Sequence, residues 1–304
     1  MHNDSPFAGI IGIPGRWPDS EGRPLDVSFN ISNHSIFRRG AEEFLLVDGE
    51  TYRLQLRFQQ RLHDRIKLGV SVPWISHSGG FLDSTIDAWH GITGLREGIR
   101  PERPRDELQY SYGRETFEIF GLADSESGLG DTQVALAIEL KRPDVTSSRA
   151  WPLRLPITLL LNTELPTGDL DRLTGNDHTD YSAGMRVSSP RPSSRLQWWA
   201  DTGIAWPGDV DIAGLPSKNR VFYYDVAFSW RWLSNLDLIL DIAGNSPLYR
   251  SELESLGDPA LQLAAGIAWH LDNGTTLRFG FYEDVRAESA SDLGLEFGVT
   301  FARF

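Results

Sequence analysis

Apolar and polar residues alternate with a period of two along most of this chain, the pattern of strands with one wet and one dry face. From Leu25, the residues Leu25, Val27, Phe29 and Ile31 share one face and Asp26, Ser28, Asn30 and Ser32 the other. Tyr52, Leu54, Leu56 and Phe58 then oppose Arg53, Gln55, Arg57 and Gln59. Ile66, Leu68, Val70 and Val72 follow, and further runs start at Val134, Leu153 and Tyr181. The C-terminal half is cleaner. There Phe222, Tyr224, Val226, Phe228, Trp230 and Trp232 alternate with Asp225, Ser229 and Arg231, and Leu236, Leu238, Leu240 and Ile242 oppose Asp237 and Asp241. The runs number about twelve, each near the roughly 9–11 residues with which a tilted strand crosses a bilayer.

The connections alternate as well. Short turns at His63-Asp64, 190–194, Ser234-Asn235 and Asp272-Asn273-Gly274 interleave with Gly/Asp/Ser-rich loops at 167–178, 207–219, 247–258 and 285–291. One short-turn side, one long-loop side and an even strand number organise an outer-membrane barrel. A soluble β-sandwich also alternates, but its exposed faces are polar and its strands shorter. Here the apolar face is rich in Leu and Trp, with Trp151, Trp198, Trp230, Trp232 and Trp269 toward the short-turn ends, where an interfacial girdle belongs. The predicted fold is therefore all-β, a transmembrane antiparallel β-barrel of about 12 strands, with a long extracellular excursion containing a short helix. Residues 1–24 are expected to be an N-terminal periplasmic segment and 25–304 a single barrel domain.

Composition sharpens this reading. The chain has 304 residues, a net charge of −13 and a mean hydropathy of −0.30. No stretch approaches the roughly 18 apolar residues of a membrane helix, whereas alternating strands average to mildly hydrophilic values. The acidic balance and the lack of a Lys/Arg-rich run argue against a nucleic-acid partner. Zero cysteines exclude thiolate metal sites and cysteine nucleophiles, and suit an oxidising compartment. Met1 to Ser5 carry neither a basic nor an apolar export signal, so the chain is either not exported or a mature form, and the barrel pattern favours the second.

One stretch breaks the alternation. Residues 76–107 begin an excursion reaching to 130, with a helix expected over 81–93 and a hairpin over 108–120. On that helix Leu82, Ile86 and Trp89 share a face, and Asp83, Asp87 and His90 form an adjacent stripe at i, i+4, i+7. Excursions of this length are often functional, so it is expected to constrict or cover the barrel mouth. The Asp/Asp/His stripe could ligate a divalent ion. It better suits a helix with Asp in its first turns and a solvated His, and no metal or other cofactor is assigned.

Two further sets carry candidate chemistry. Arg53, Arg57, Arg61 and Lys67 would line one wall of the lumen and Asp201, Asp225, Asp237, Asp241 and Glu296 the other. That is either a transverse field orienting a solute or a polar core satisfied within itself. His178, Asp180 and Ser182 share a face at a strand top and could serve a lipid hydrolase, but no hydrolase motif surrounds them.

Gly79-Gly80-Phe81-Leu82-Asp83 with Ile86 and His90, then Gly128-Leu129-Gly130-Asp131 and Leu165-Pro166-Thr167-Gly168-Asp169, resemble an uncharacterised family of proteobacterial outer-membrane barrels, classed only as a domain of unknown function. The Gly-Leu-Gly-Asp and Pro-Thr-Gly-Asp pieces are also loosely similar to barrels associated with uptake of aromatic compounds. The resemblance implies outer-membrane location and fold. It implies lipid and lipopolysaccharide as surroundings, and barrel-assembly machinery as a partner through a C-terminal strand ending in Phe304. Phe301, Val299 and Phe297 stand at odd spacings from Phe304, a departure from the usual assembly signal. The function expected is a channel for passive or selective diffusion of a small solute. The alternatives are a closed structural or docking barrel and an outer-membrane lipid hydrolase.

Overall fold

The computed structural model describes residues 3–17, 25–84, 104–142, 155–190, 195–286 and 293–301. The strands run in order β1 (Leu25–Arg39), β2 (Glu43–His63), β3 (Ile66–Ser78), β4 (Gln109–Arg114), β5 (Phe117–Leu122), β6 (Glu126–Leu129), β7 (Thr132–Lys141) and β8 (Ile157–Leu165). They continue as β9 (Asp180–Ser188), β10 (Leu196–Trp206), β11 (Asp211–Ile212), β12 (Leu215–Pro216), β13 (Val221–Leu233), β14 (Leu236–Asn245), β15 (Ala260–His270), β16 (Thr276–Arg286) and β17 (Leu293–Phe301). A single helical turn, Glu254–Gly257, precedes β15. No helix among the described residues is long and apolar enough to cross a membrane.

Twelve strands, β1–β3, β7–β10 and β13–β17, close an antiparallel ring. β17 returns to β1 in register from Leu25↔Phe301 to Asn33↔Leu293. Closure leaves the ring without an edge, and the pleat divides its residues between lipid and lumen. Outward positions form an exposed apolar belt that includes Leu54, Leu56, Phe228, Leu240, Ile267 and Phe297. Trp230, Trp232 and Trp269 are exposed at the short-turn end, and Trp74, Tyr181, Trp206 and Phe222 make a second aromatic band at the long-loop end. A belt between two aromatic bands is what a bilayer selects. Trp151 lies outside the described residues.

β1 and β2 are 15 and 21 residues long, more than a bilayer needs, and their upper ends carry the β4–β5 hairpin through β2–β4 pairing over Glu43–Asp48. Alternation fails there because both faces are covered. Ile36, Leu45, Val47, Tyr110, Tyr112 and Leu122 join an apolar core with Leu173, Val210, Leu215, Tyr249 and Leu256 from three other long loops. This core roofs the ring at its long-loop end.

Residues 3–17, expected in the periplasm, instead run inside the ring. Phe7, Ala8, Ile10 and Ile11 are buried in the roof core, and Arg16 reaches the lumen walls on β13 and β14. Four apolar side chains in a Gly/Pro-rich stretch have more to gain from that core than from water.

Candidate functional site

The lumen is the candidate site, and the N-terminal segment is its main occupant. Asp4, 1% exposed, accepts from Arg53 Nε (2.7 Å), Tyr282 Oη (2.8 Å) and Asn30 Nδ2 (3.2 Å). Gly12 N–H donates to Asp180 Oδ2 at 2.7 Å. A Cβ at residue 12 would lie 2.5 Å from that oxygen and 2.6 Å from Glu164 Oε2, so only glycine brings the backbone so close. Arg16 donates to Asp225 Oδ1 at 3.2 Å and Asp241 Oδ2 at 2.9 Å, and its guanidinium lies 5.8 Å from the centre of the Trp199 ring. The Trp17 ring lies against Gly69, where a Cβ would meet it at 2.7 Å.

The long-loop rim clamps this segment. Thr167 Oγ1 accepts from Thr132 N–H (2.9 Å) and donates to Gly130 O (2.7 Å), while Asp131 accepts the N–H groups of Gly168 (2.7 Å) and Asn176 (2.9 Å). Burial pushes the Asp131 carboxyl above the usual carboxylate range, against the opposing pull of these two donors. Asn176 Nδ2 in turn donates to Ile10 O at 2.9 Å and to Asp180 Oδ2 at 2.8 Å. The Gly-Leu-Gly-Asp and Pro-Thr-Gly-Asp pieces are thus two halves of one loop clamp that ends on the N-terminal segment.

The family model described as "Protein of unknown function (DUF3187)" matches residues 18–303. The chain belongs to the DUF3187 family. No curated protein matches it. Among solved structures, the COG4313 outer membrane channel from Pseudomonas putida F1 is similar at 9% identity, over 95% of this chain and 100% of that one, with a TM-score of 0.56. The NanC porin is similar at 11% identity, over 91% and 98% of the two chains, with a TM-score of 0.51. The transport unit of the autotransporter AIDA-I from Escherichia coli is similar at 8%, over 95% and 93%, with a TM-score of 0.50. At such identities the likeness is one of fold, and the fold is that of the outer-membrane β-barrels.

In this DUF3187 chain the lumen charges do not segregate into a basic and an acidic wall. Arg53 pairs with Asp4, and Asp225 and Asp241 with Arg16, both partners coming from the N-terminal segment. Asp201 takes a two-point bond from Arg186 on β9 at 2.6–2.7 Å. Asp237 is held by Arg231 and by His270 Nε2 at 3.0 Å. Arg57 and Arg278 converge on Asp26 at 3.6 and 2.8 Å, and Arg278 also lies 3.8 Å from Glu296. Arg61 donates to Asp64 O at the short-turn rim, and Lys67 lines a chamber described below. Opposite charges interleave because a desolvated charge needs a partner at contact distance rather than across a lumen.

The other candidates are placed elsewhere. Asp83 sits on the outer flank, accepting from Asn33 Nδ2 at 3.2 Å and Asp106 N–H at 2.9 Å. Beside it Glu50, fully buried, accepts the N–H groups of Phe81 (2.9 Å) and Leu82 (2.6 Å). Leu82 packs on the outward residues Ile31, Tyr52 and Leu293. The described base of the excursion is therefore tied to the outside of the ring; Asp87, His90 and the rest of the expected helix lie outside the described residues. Asp180 is occupied by Gly12, Asn176 and Gly208, Ser182 Oγ accepts from Asn162 Nδ2 at 3.1 Å, and His178 Nδ1 lies 2.8 Å from Asn176 O. Their hydrogen bonds go into structure rather than into a serine–histidine pair. Among the described residues no group of three His, Asp or Glu side chains is placed to hold a metal ion.

Proposed function

We propose that this protein is an outer-membrane channel for a small solute, closed in the present conformation by its own N-terminal segment. The observation that carries the reading is what fills the lumen. A barrel closed for good can fill itself with wall side chains. Here β15, β16 and β17 present Ala264, Gly266, Gly280 and Gly298 inward, the first three beside an open pocket of about 160 Å³, and much of the remaining lumen is taken by a separate length of chain, anchored by ion pairs and hydrogen bonds to the walls and by its apolar residues in the roof. The single hydrogen bonds exchange with water at small net cost, and the buried Asp4–Arg53 pair is the stronger polar hold. The short turns then face the periplasm, the long loops face lipopolysaccharide, and the strand leading to Phe304 engages the assembly machinery.

Conductance in a planar bilayer tests this. The full chain is expected to conduct little, and a chain lacking residues 3–17 at least about tenfold more, the response expected where a narrow filled lumen becomes water-filled. Equal, near-zero conductance of both would select the second reading, a closed docking barrel. The apolar roof, which joins four loops and the N-terminal segment, favours that alternative. Phospholipid turnover in mixed micelles, abolished by Ser182→Ala, is the outcome that would restore a hydrolase.

A further inference from the structure

Residues 14–17 do not fill the short-turn half of the lumen. On one side they leave a chamber of about 210 Å³, bounded by β2, β3, β7–β10 and β13. Its cations are Arg16, Arg61, Lys67, Lys141, Arg142 and Arg186, against the carboxylates Glu139, Asp201 and Asp225. Asp241 reaches Arg16 from behind, and even with it the cations exceed the carboxylates by two. In a chain with a net charge of −13, the described wall of this chamber reverses the overall sign. A concave, low-dielectric site of one sign concentrates ions of the other.

Most of the chamber's cations gather at one end. Arg61, Lys67, Lys141 and Arg142 stand at the short-turn ends of β2, β3 and β7. Trp17, Ala135, Ala137, Leu160 and Trp199 give apolar lining beside and beyond them, along with the paired Arg186 and Asp201. The ceiling is made by the N-terminal segment itself, with Trp17 flat on Gly69 and Arg16 over Trp199.

We infer that this chamber binds a small amphipathic organic anion, its acidic head among Arg61, Lys67 and Lys141 and its apolar body against Trp17, Trp199 and Leu160. Apolar surface that holds a body, beside charged groups that fix the orientation of a head, is a common build of small-molecule sites. The volume, below the roughly 300 Å³ at which drug-sized pockets begin, limits the occupant to a short chain or a single ring. The inference rests on the lumen being a solute path, and it names the class of solute.

Calorimetric titration of the full chain in zwitterionic detergent at low ionic strength tests it, with hexanoate and, as the cation of matched shape, hexylammonium. Hexanoate is expected to bind saturably near one per chain, and hexylammonium not to bind. Affinity should fall at least tenfold between 20 mM and 500 mM NaCl, and at least tenfold in Arg61→Gln/Lys67→Gln. Heat-modifiable gel migration checks that this variant is folded. Equal binding of the two ligands, or salt-insensitive binding by the unaltered chain, overturns the anion site whatever the variant does. No hexanoate binding by the full chain, beside the expected rise in conductance on removal of residues 3–17, would sink the chamber and spare the channel; saturable hexanoate binding by the full chain without that rise would spare the chamber alone.

Discussion

Asp4 and Arg53 are 1% and 5% exposed, so each charge depends on the other. Removing one partner of such a pair costs about 3–5 kcal/mol, much of it from the charge left behind. Because the chain has no cysteine, a single Ala8→Cys gives a clean reporter on the buried segment. Adding Asp4→Ala is expected to raise its labelling by a membrane-impermeant maleimide at least about tenfold, and adding Arg53→Met to recover part of the protection. Unchanged labelling would mean that the roof alone holds the segment. Alternation was enough to place Arg53, Asp225 and Asp241 on the polar face of their strands. It could not supply Asp4 and Arg16, which lie in a stretch with no period. The available signal there was composition, since Phe7, Ile10, Ile11 and Ile13 within one short segment are too apolar for a solvated tail.

At the level of elements, the segment and the roof support each other. Gly69 lies flat beneath Trp17, so Gly69→Val is expected to push residues 14–17 off β3 while leaving the outward face of that strand intact. A red shift in tryptophan emission that is absent from Gly69→Val/Trp17→Phe would show it. Tyr110 and Tyr112 are fully buried where the β4–β5 hairpin meets the extended ends of β1 and β2. Tyr110→Ala is expected to cost the roof about 3–5 kcal/mol, read as faster proteolysis of the long loops with the ring still resistant. The membrane-level strands were legible because one face of each meets lipid. The upper part of β2 was not, because Leu45, Leu46 and Val47 are buried in succession and the period of two disappears. The motif pieces at 128–131 and 165–169 were visible as pieces, but not that they interlock, since hydrogen bonds across 35–37 residues leave no trace in local spacing.

For the whole molecule, the belt and the lumen obey opposite rules. Leu240, midway along β14, faces lipid, and Leu240→Arg is expected to cost about 2–4 kcal/mol, measured as a lower urea midpoint for the loss of heat-modifiable migration. A polar lumen and a lipid-facing exterior share each strand at one-residue intervals, which is how a hydrophilic average conceals a membrane protein. The position of Asp4 has one more consequence, for the order of events in folding. Its partners Asn30 and Arg53 are on the first two strands, whereas Tyr282 is 278 residues away, on the penultimate strand of the ring. Contacts of that separation form only after the chain between them is in place. The segment around Asp4 therefore finds its seat last, and until the ring has closed around it Phe7, Ala8, Ile10 and Ile11 must be kept from other partners.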